Sequence, residues 1–235
     1  MEVDANGERR VRVRRRLLRW WRAEGRDFPW RHTRDPWAVL LAELMLQRTR
    51  ADLVPRVYED AMRRYPTAAA FADAPRDELA VLLRPLGFLR RNERLRLAAD
   101  ACRDGVPRTM AGLLAVPGVG RYAATATLCF AFGRRVAVID PSVIRLLARL
   151  ELGTSERARP REDPALWAAA DALLPAHGAR EWNYAVLDHA ATVCRPAPRC
   201  PACPLLALCP TGTARAGGAP GGRRARHGVV VSRAP

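Results

Sequence analysis

Apolar residues recur along this chain mostly at the three- and four-residue intervals of a helix, and runs alternating with period two are nearly absent, so the pattern predicts an all-α fold. Helices are expected at about residues 9–24, 36–50, 53–65, 67–72, 77–84, 90–100, 111–116, 121–132, 142–150, 164–174 and 179–191. Within 36–50, Trp37, Leu40, Leu41 and Leu44 stand at i, i+3, i+4 and i+7 and predict a core stripe, while Glu43 and Gln47 share a different face. Pro66, Pro75, Pro85 and Gly87 punctuate the helices that follow. Residues 26–37 carry two prolines and no helical period, and read as an ordered loop in which Asp35 caps a helix starting at Pro36. Residues 153–164 read as a polar loop.

The stretch 111–140 stands apart. Its first helix, with Thr109 as N-cap, ends in Pro117-Gly118-Val119-Gly120; a second helix follows, then the apolar run Val136-Ala137-Val138-Ile139 closed by Asp140. Two helices joined by so short a turn form a helix-hairpin-helix. Gly118 and Gly120 there let backbone N–H groups face outward at the positive end of the second helix, which makes a cradle for phosphate. The same turn also suits an ordinary helix connection. Asp140 precedes Pro141, an N-cap followed by a first-turn proline, so capping accounts for it. A carboxylate in that place can equally face the nucleotide whose backbone the hairpin holds.

Composition narrows the partners. A chain of 235 residues with 49% hydrophobic content can bury a substantial core, and a net charge of +16 points to a polyanion, nucleic acid before an anionic membrane surface. No apolar run approaches the roughly 20 residues needed to span a bilayer. The segment 9–16, nearly all arginine and valine, lacks the apolar core of a secretion signal, so a cytoplasmic location is expected. All forty basic residues are arginine. Arg90, Arg91, Arg94 and Arg96, on one predicted helix, read as a solvated face before they read as DNA contacts. Cys194, Cys200, Cys203 and Cys209 lie within sixteen residues at gaps of five, two and five, and four thiols so close imply a metal site. Zinc and an iron–sulfur cubane both accept four thiolates, and the spacing alone leaves both open. Cys102 and Cys129 sit alone in apolar helices and read as core thiols. From Thr211 on, glycine, alanine, proline and five arginines without an acid predict a flexible basic tail.

On Val116-Pro117-Gly118-Val119-Gly120 and Asp140 the chain resembles the helix-hairpin-helix DNA glycosylases, the superfamily of endonuclease III, the MutY-type adenine glycosylases and the Mig-type thymine mismatch glycosylases. The likeness runs from about Arg26 to Cys209. Ala42-Glu43-Leu44-Met45-Leu46-Gln47-Arg48-Thr49 is similar to the segment whose glutamate faces the base pocket, and Arg48 to an arginine that enters the duplex beside the orphaned guanine. The residue after Gly120-Arg121 differs among members: lysine in endonuclease III, usually serine in MutY-type enzymes, tyrosine in Mig-type enzymes. Here it is Tyr122. Trp182 to Asp188 is also family-like, and makes Asp188 a structural cap or hydrogen-bond anchor.

The resemblance implies two helical lobes with the active site in the cleft between them. A cluster-bearing lobe would comprise residues 9–31 and 136–210, and a six-helix lobe with the hairpin residues 32–135, flanked by a flexible basic N-terminus (1–8) and a disordered basic tail (211–235). It implies a [4Fe–4S] cluster on Cys194, Cys200, Cys203 and Cys209, although the family loop has gaps of six, two and five, one residue more in the first interval. It implies DNA contacts from Gln47, Arg48, Pro117, Gly118, Val119, Gly120 and Arg121. Asp140 would stabilise an oxocarbenium-like sugar and direct a water, Glu43 would orient that water or protonate the leaving base, and Tyr122 would stack on the extruded base or donate a hydrogen bond. The implied partner is double-stranded DNA with a mismatched or damaged base, bound by a monomer. The implied activity is monofunctional removal of thymine or uracil opposite guanine, since no lysine exists to form an imine with the opened sugar. Adenine removal is the alternative within the family, although the additional C-terminal domain of those enzymes is not found. A non-enzymatic iron–sulfur DNA-binding protein is the alternative from another class.

Overall fold

The computed structural model describes residues 5–87, 89–153 and 163–217. Among them are twelve α-helices and no strand: α1 (Ala5–Glu24), α2 (Pro36–Leu46), α3 (Val54–Arg64), α4 (Ala68–Asp73), α5 (Arg76–Leu83), α6 (Leu89–Ala101), α7 (Met110–Ala115), α8 (Arg121–Phe130), α9 (Pro141–Glu151), α10 (Pro164–Leu173), α11 (Ala179–Thr192) and α12 (Pro210–Ala216). Side-chain oxygens cap five of these helices, and the sequence anticipates three of them: Asp35 accepts from Ala38 N at 2.7 Å, Thr109 from Gly112 N at 3.1 Å and Asp140 from Val143 N at 2.7 Å, joined by Thr67 from Ala70 N at 3.1 Å and Asp163 from Ala165 N at 2.9 Å. Each bond satisfies an N–H that the helix leaves without a partner and is worth about 1 kcal/mol.

The helices build two hydrophobic cores. The first gathers side chains from Trp30 to Leu128, with Leu40, Leu41, Met45, Phe71, Leu83 and Leu113 fully covered. The second takes Val13 and Leu17 from α1, then runs from Ala126 to Leu205, with Phe130, Leu150, Leu166, Trp182 and Ala185 inside. Helix α8 serves both, turning Ala123, Ala124 and Leu128 to the first core and Ala126, Cys129 and Phe130 to the second. The chain therefore starts in the second core, leaves it to build the first, and returns. Cys102 and Cys129 are buried thiols in these cores, as expected.

Four expectations about the elements need correction. Helix α2 is buried on every side from Trp37 to Met45, Glu43 included, because both cores pack on it; a one-faced stripe understates it. It also ends at Leu46, not residue 50, since Gln47 turns to extended backbone and Arg48 takes the left-handed conformation at φ +56°. The N-terminus is helical from Ala5, within the segment 1–8 expected to be flexible. Residues 210–216 form α12, although a disordered tail was expected from 211: Pro210 starts the helix, Gly212 N donates to Cys209 Sγ at 3.3 Å and Thr211 Oγ1 to Arg149 O at 3.0 Å, which pins it to the end of α9. Most of the expected loop 153–164, the tail beyond residue 217 and the side chains of Arg90 and Arg91 lie outside the described residues.

Much of the arginine serves the fold. Arg14 donates to the carbonyls of Ala172 and Leu173, Arg135 to those of Leu174 and Pro175, and Arg9 to Leu150 O and the Glu151 carboxylate. Each cation closes the negative end of a helix, where the last carbonyls lack partners.

Candidate active site and nucleic-acid interface

The hairpin between α7 and α8 is a tight turn, with Val119 N donating to Val116 O at 3.1 Å. Gly118 sits at φ +83°, a conformation that favours glycine, and a Cβ there would fall 2.6 Å from Arg94 Cδ and push that side chain aside. Gly120 differs from the expectation. Its φ of −95° is open to any residue, and a Cβ there would meet nothing within 4 Å. The fold does not require this glycine, and its bare surface leaves the first N–H groups of α8, which no side chain caps, approachable from outside.

The turn after α2 lies against this hairpin. Gln47 Nε2 donates to Gly118 O at 3.0 Å, so the amide expected to touch DNA ties the two loops together. Next to it Arg48 is exposed in a left-handed backbone, the one non-glycine residue with positive φ among those described. Bulky residues adopt that conformation at a cost, and here it sets the guanidinium at the tip of the turn.

Between the cores lies a cavity of about 510 Å³, whose lining includes Arg26, Trp30, Arg31, Glu43, Gln47, Arg48, Tyr122, Asp140 and Tyr184. The structure thus brings together Glu43 from α2, Tyr122 from the first turn of α8 and Asp140 from the start of α9. Glu43 is only 3% exposed, and its Oε2 has no hydrogen-bond partner. Burial pushes its carboxyl up to about 7, against the opposing pull of the hydrogen bond from Tyr122 and of the Arg31 charge. Burial and the neighbouring Glu43 hold the Tyr122 phenol well above its ordinary range, so it stays a donor. Asp140 is raised by burial, against hydrogen bonds from the N–H groups of Val143 and Ser142 and against Arg145 and Arg26.

Two arginines that were not foreseen as part of the site complete this wall. Asp188, fully buried, accepts from Arg26 Nε at 2.7 Å and Arg26 N at 3.0 Å, from both terminal nitrogens of Arg31 at 2.7 and 2.8 Å, and from Trp21 Nε1 at 3.0 Å. Burial works to raise its pKa, and Arg31 and Arg26 outweigh that and hold it below the usual carboxylate range. Asp188 is the expected anchor. Asn183, also buried, receives Val138 N on Oδ1 at 2.9 Å and donates to Val136 O and Ala179 O, fixing the extended run that delivers Asp140.

The four clustered cysteines line one further cavity, at the far end of α9 and beside α11 and α12. Gly212 N donates to Cys209 Sγ at 3.3 Å, His189 Nε2 lies 3.3 Å from Cys203 Sγ, and Arg149 stands 3.7 Å from Cys194 Sγ while donating to Arg195 O and Pro196 O. Among the described residues, no three His, Cys, Asp or Glu side chains close on a single-ion point. No helix among them is long and apolar enough to cross a membrane.

Residues 41–167, which hold Glu43, the hairpin and Asp140, match the HhH-GPD superfamily of base excision DNA repair proteins. The chain belongs to that superfamily. It is 40% identical over 206 residues to a thymine-DNA glycosylase of Aeropyrum pernix, covering 84% of this chain and 92% of that one. It is 39% identical over 196 residues to an adenine DNA glycosylase of Mycobacterium tuberculosis, covering 80% of this chain and 64% of that one. A solved structure of a thermostable thymine-DNA glycosylase superposes with a TM-score of 0.82 at 32% identity, over 89% of this chain and 99% of that one. The HhH-GPD match ends within α10, so α11, with Asn183 and Asp188, and the cysteine loop lie beyond it.

Proposed function

We propose that this DNA repair protein is a monofunctional glycosylase that hydrolyses the N-glycosidic bond of thymine or uracil mispaired with guanine. The observation that carries the reading is the meeting of buried Glu43 with half-buried Tyr122 and Asp140 around one cavity, with tyrosine where a lyase of this superfamily needs lysine. The hairpin and Arg121 hold phosphate, Arg48 enters the stack that the extruded nucleotide vacates, and the base enters the cavity between Glu43 and the aromatic wall of Trp30 and Tyr184. The bond from C1′ to the base nitrogen breaks, and its electron pair leaves with the base. Glu43, poised about neutrality, gives its proton to a carbonyl oxygen of the departing pyrimidine. Asp140, ionised, faces the positive charge growing at C1′ and accepts a proton from the water that adds there. The products are free base and an intact abasic strand. The thymine-specific relative, 40% identical over 206 residues, and the thymine-DNA glycosylase fold that superposes with a TM-score of 0.82 support this target.

The second part of the reading is that Cys194, Cys200, Cys203 and Cys209 hold a [4Fe–4S] cluster. A cubane takes one thiolate at each of four irons, and the lining of one cavity by all four cysteines supports this reading. Donors already directed at Cys194 and Cys209 suit sulfur ligands that carry negative charge. When bound, such a cluster would cross-link the loop and supply a one-electron couple, and no electron transfer enters the hydrolysis written above. The test of the activity is a panel of duplexes carrying thymine or uracil opposite guanine, or adenine opposite oxidised guanine, incubated and scored with and without alkali. Alkali-dependent breaks at thymine or uracil are expected; breaks without alkali, or at adenine alone, overturn the reading.

A further inference from the structure

Beside the base cavity lies a second one of about 260 Å³, and Tyr122, Asp140 and Pro141 form the ridge common to both. An occupant of the second cavity therefore adjoins the group on which Asp140 acts. Arg121, the first residue of α8, and Trp167, from the first turn of α10, face each other across its rim, with the guanidinium carbon 3.6 Å from the indole centroid. The guanidinium carbon thus stands over the face of the ring. Arg121 is exposed, and among the described residues its guanidinium makes no ion pair or hydrogen bond. A ring takes up only one face of a guanidinium, so the in-plane N–H fork stays available, already oriented, for a planar or tetrahedral oxyanion. Asp140 on the shared ridge opposes any anion that comes near, and Arg121, lining the same cavity, supplies positive charge against it.

We propose that Trp167 is a positioning residue for the DNA backbone: it holds Arg121 flat at the rim of this second cavity, so that the guanidinium edge meets the phosphate adjoining the extruded nucleotide. The inference rests on the DNA glycosylase reading above and deepens it, adding from α10 a residue outside the hairpin motif. The experiment measures binding to a duplex with a tetrahydrofuran abasic analogue opposite guanine, which has no base to lose, over a range of salt concentrations. Arg121→Gln should weaken binding roughly five- to tenfold and lower the slope of log K against log salt by about one. Trp167→Ala removes no charge, yet should weaken binding roughly two- to fivefold, as loss of an exposed cation–π contact does. The double variant should bind no more weakly than Arg121→Gln alone, and Trp167→Phe, which keeps a ring face, should restore most of the loss. Melting temperatures measured in parallel confirm that each variant is folded. Wild-type affinity in Trp167→Ala, losses that multiply in the double variant, or no rescue by Trp167→Phe would each overturn the proposal. Excision by the wild-type enzyme on mismatched duplex is read separately, so the glycosylase reading stands or falls apart from this one.

Discussion

Replacing Glu43 by glutamine keeps the shape of the side chain and removes its titration. In the folded protein burial lifts this carboxyl from 4.5 to about 7. In the unfolded chain it has its ordinary value. The sign follows from proton binding: a carboxyl whose folded pKa is raised favours the native state fully below the unfolded pKa, and that contribution is lost as pH rises toward the folded pKa. At about 1.36 kcal/mol per unit, the shift of roughly 2.5 units amounts to a cost of about 3 kcal/mol once the group ionises. Linkage places roughly 1 kcal/mol of it already at pH 5 and about 3 kcal/mol by pH 8. Glutamine carries none of this, so Glu43→Gln should gain on the wild type by about 2 kcal/mol between pH 5 and pH 8. For a chain of this length that is a relative gain of roughly 5 to 8 °C in melting temperature.

The assay is thermal or urea unfolding of both proteins, without DNA, at unit steps from pH 5 to pH 8. Two stability curves running parallel across that range would refute a raised carboxyl at Glu43. The same group sets the basic limb of activity: if protonated Glu43 is the acid, the excision rate at saturating duplex falls as pH rises past about 7, and Glu43→Gln loses roughly 10²- to 10⁴-fold. A gain in stability together with a loss of activity would mark the carboxyl as strained for chemistry.

Asp140→Asn keeps an oxygen to accept from Val143 N, so folding and mismatch binding should persist while excision falls by about 10² or more; undiminished excision on a guanine–thymine duplex would return Asp140 to helix capping. Gly118→Val and Gly120→Val should differ: the first destabilises the protein by about 1–3 kcal/mol through its positive φ and the Arg94 contact, while the second melts as the wild type and weakens binding to every duplex alike. Asp188→Ala should cost about 3–5 kcal/mol in chemical denaturation, because it strands the buried Arg31 charge, and a cost below about 1 kcal/mol would show that the guanidinium finds water. Purified protein should be yellow-brown with broad absorption near roughly 400 nm, as thiolate-held cubanes are; colourless protein with stoichiometric zinc would overturn the cluster.

What the sequence disclosed was set by how far apart the interacting residues lie. Asp35, Thr109 and Asp140 reach N–H groups only three residues on, and a local pattern contains both partners. The site trio was visible through motif likeness. Its electrostatics were not, because Glu43 stands in a run that reads as amphipathic until both cores close over it. Asp188 meets Arg26 and Arg31 across 162 and 157 residues, and no local period carries such a pairing. Arginine hides its own uses in this chain: Arg14 closes a helix end, Arg31 is buried against a carboxylate, Arg121 stacks on an indole, and all three look alike among forty. Nor did residues 47–48 announce the end of α2, since no glycine marks the left-handed position.

The placement of the trio has a consequence for how the site is held. Glu43 stands on α2, most of whose side chains fill the first core, Asp140 precedes α9 in the second, and Tyr122 lies in the first turn of α8, the helix that both cores share. Helix α9 is gripped at its far end by the cysteine loop: Arg145 donates to Cys194 O and Ala190 O, Arg149 to Arg195 O and Pro196 O, and Arg149 O in turn receives the Thr211 hydroxyl. Asp140 therefore depends on that loop as well as on Asn183, whereas Glu43 and Tyr122 rest on α2 and α8, which pack directly on each other. Loosening of the cysteine loop should thus strike the carboxylate that faces C1′ before the acid that meets the base, and excision should fail while the hairpin, fixed by Gln47 and Gly118, still grips the backbone.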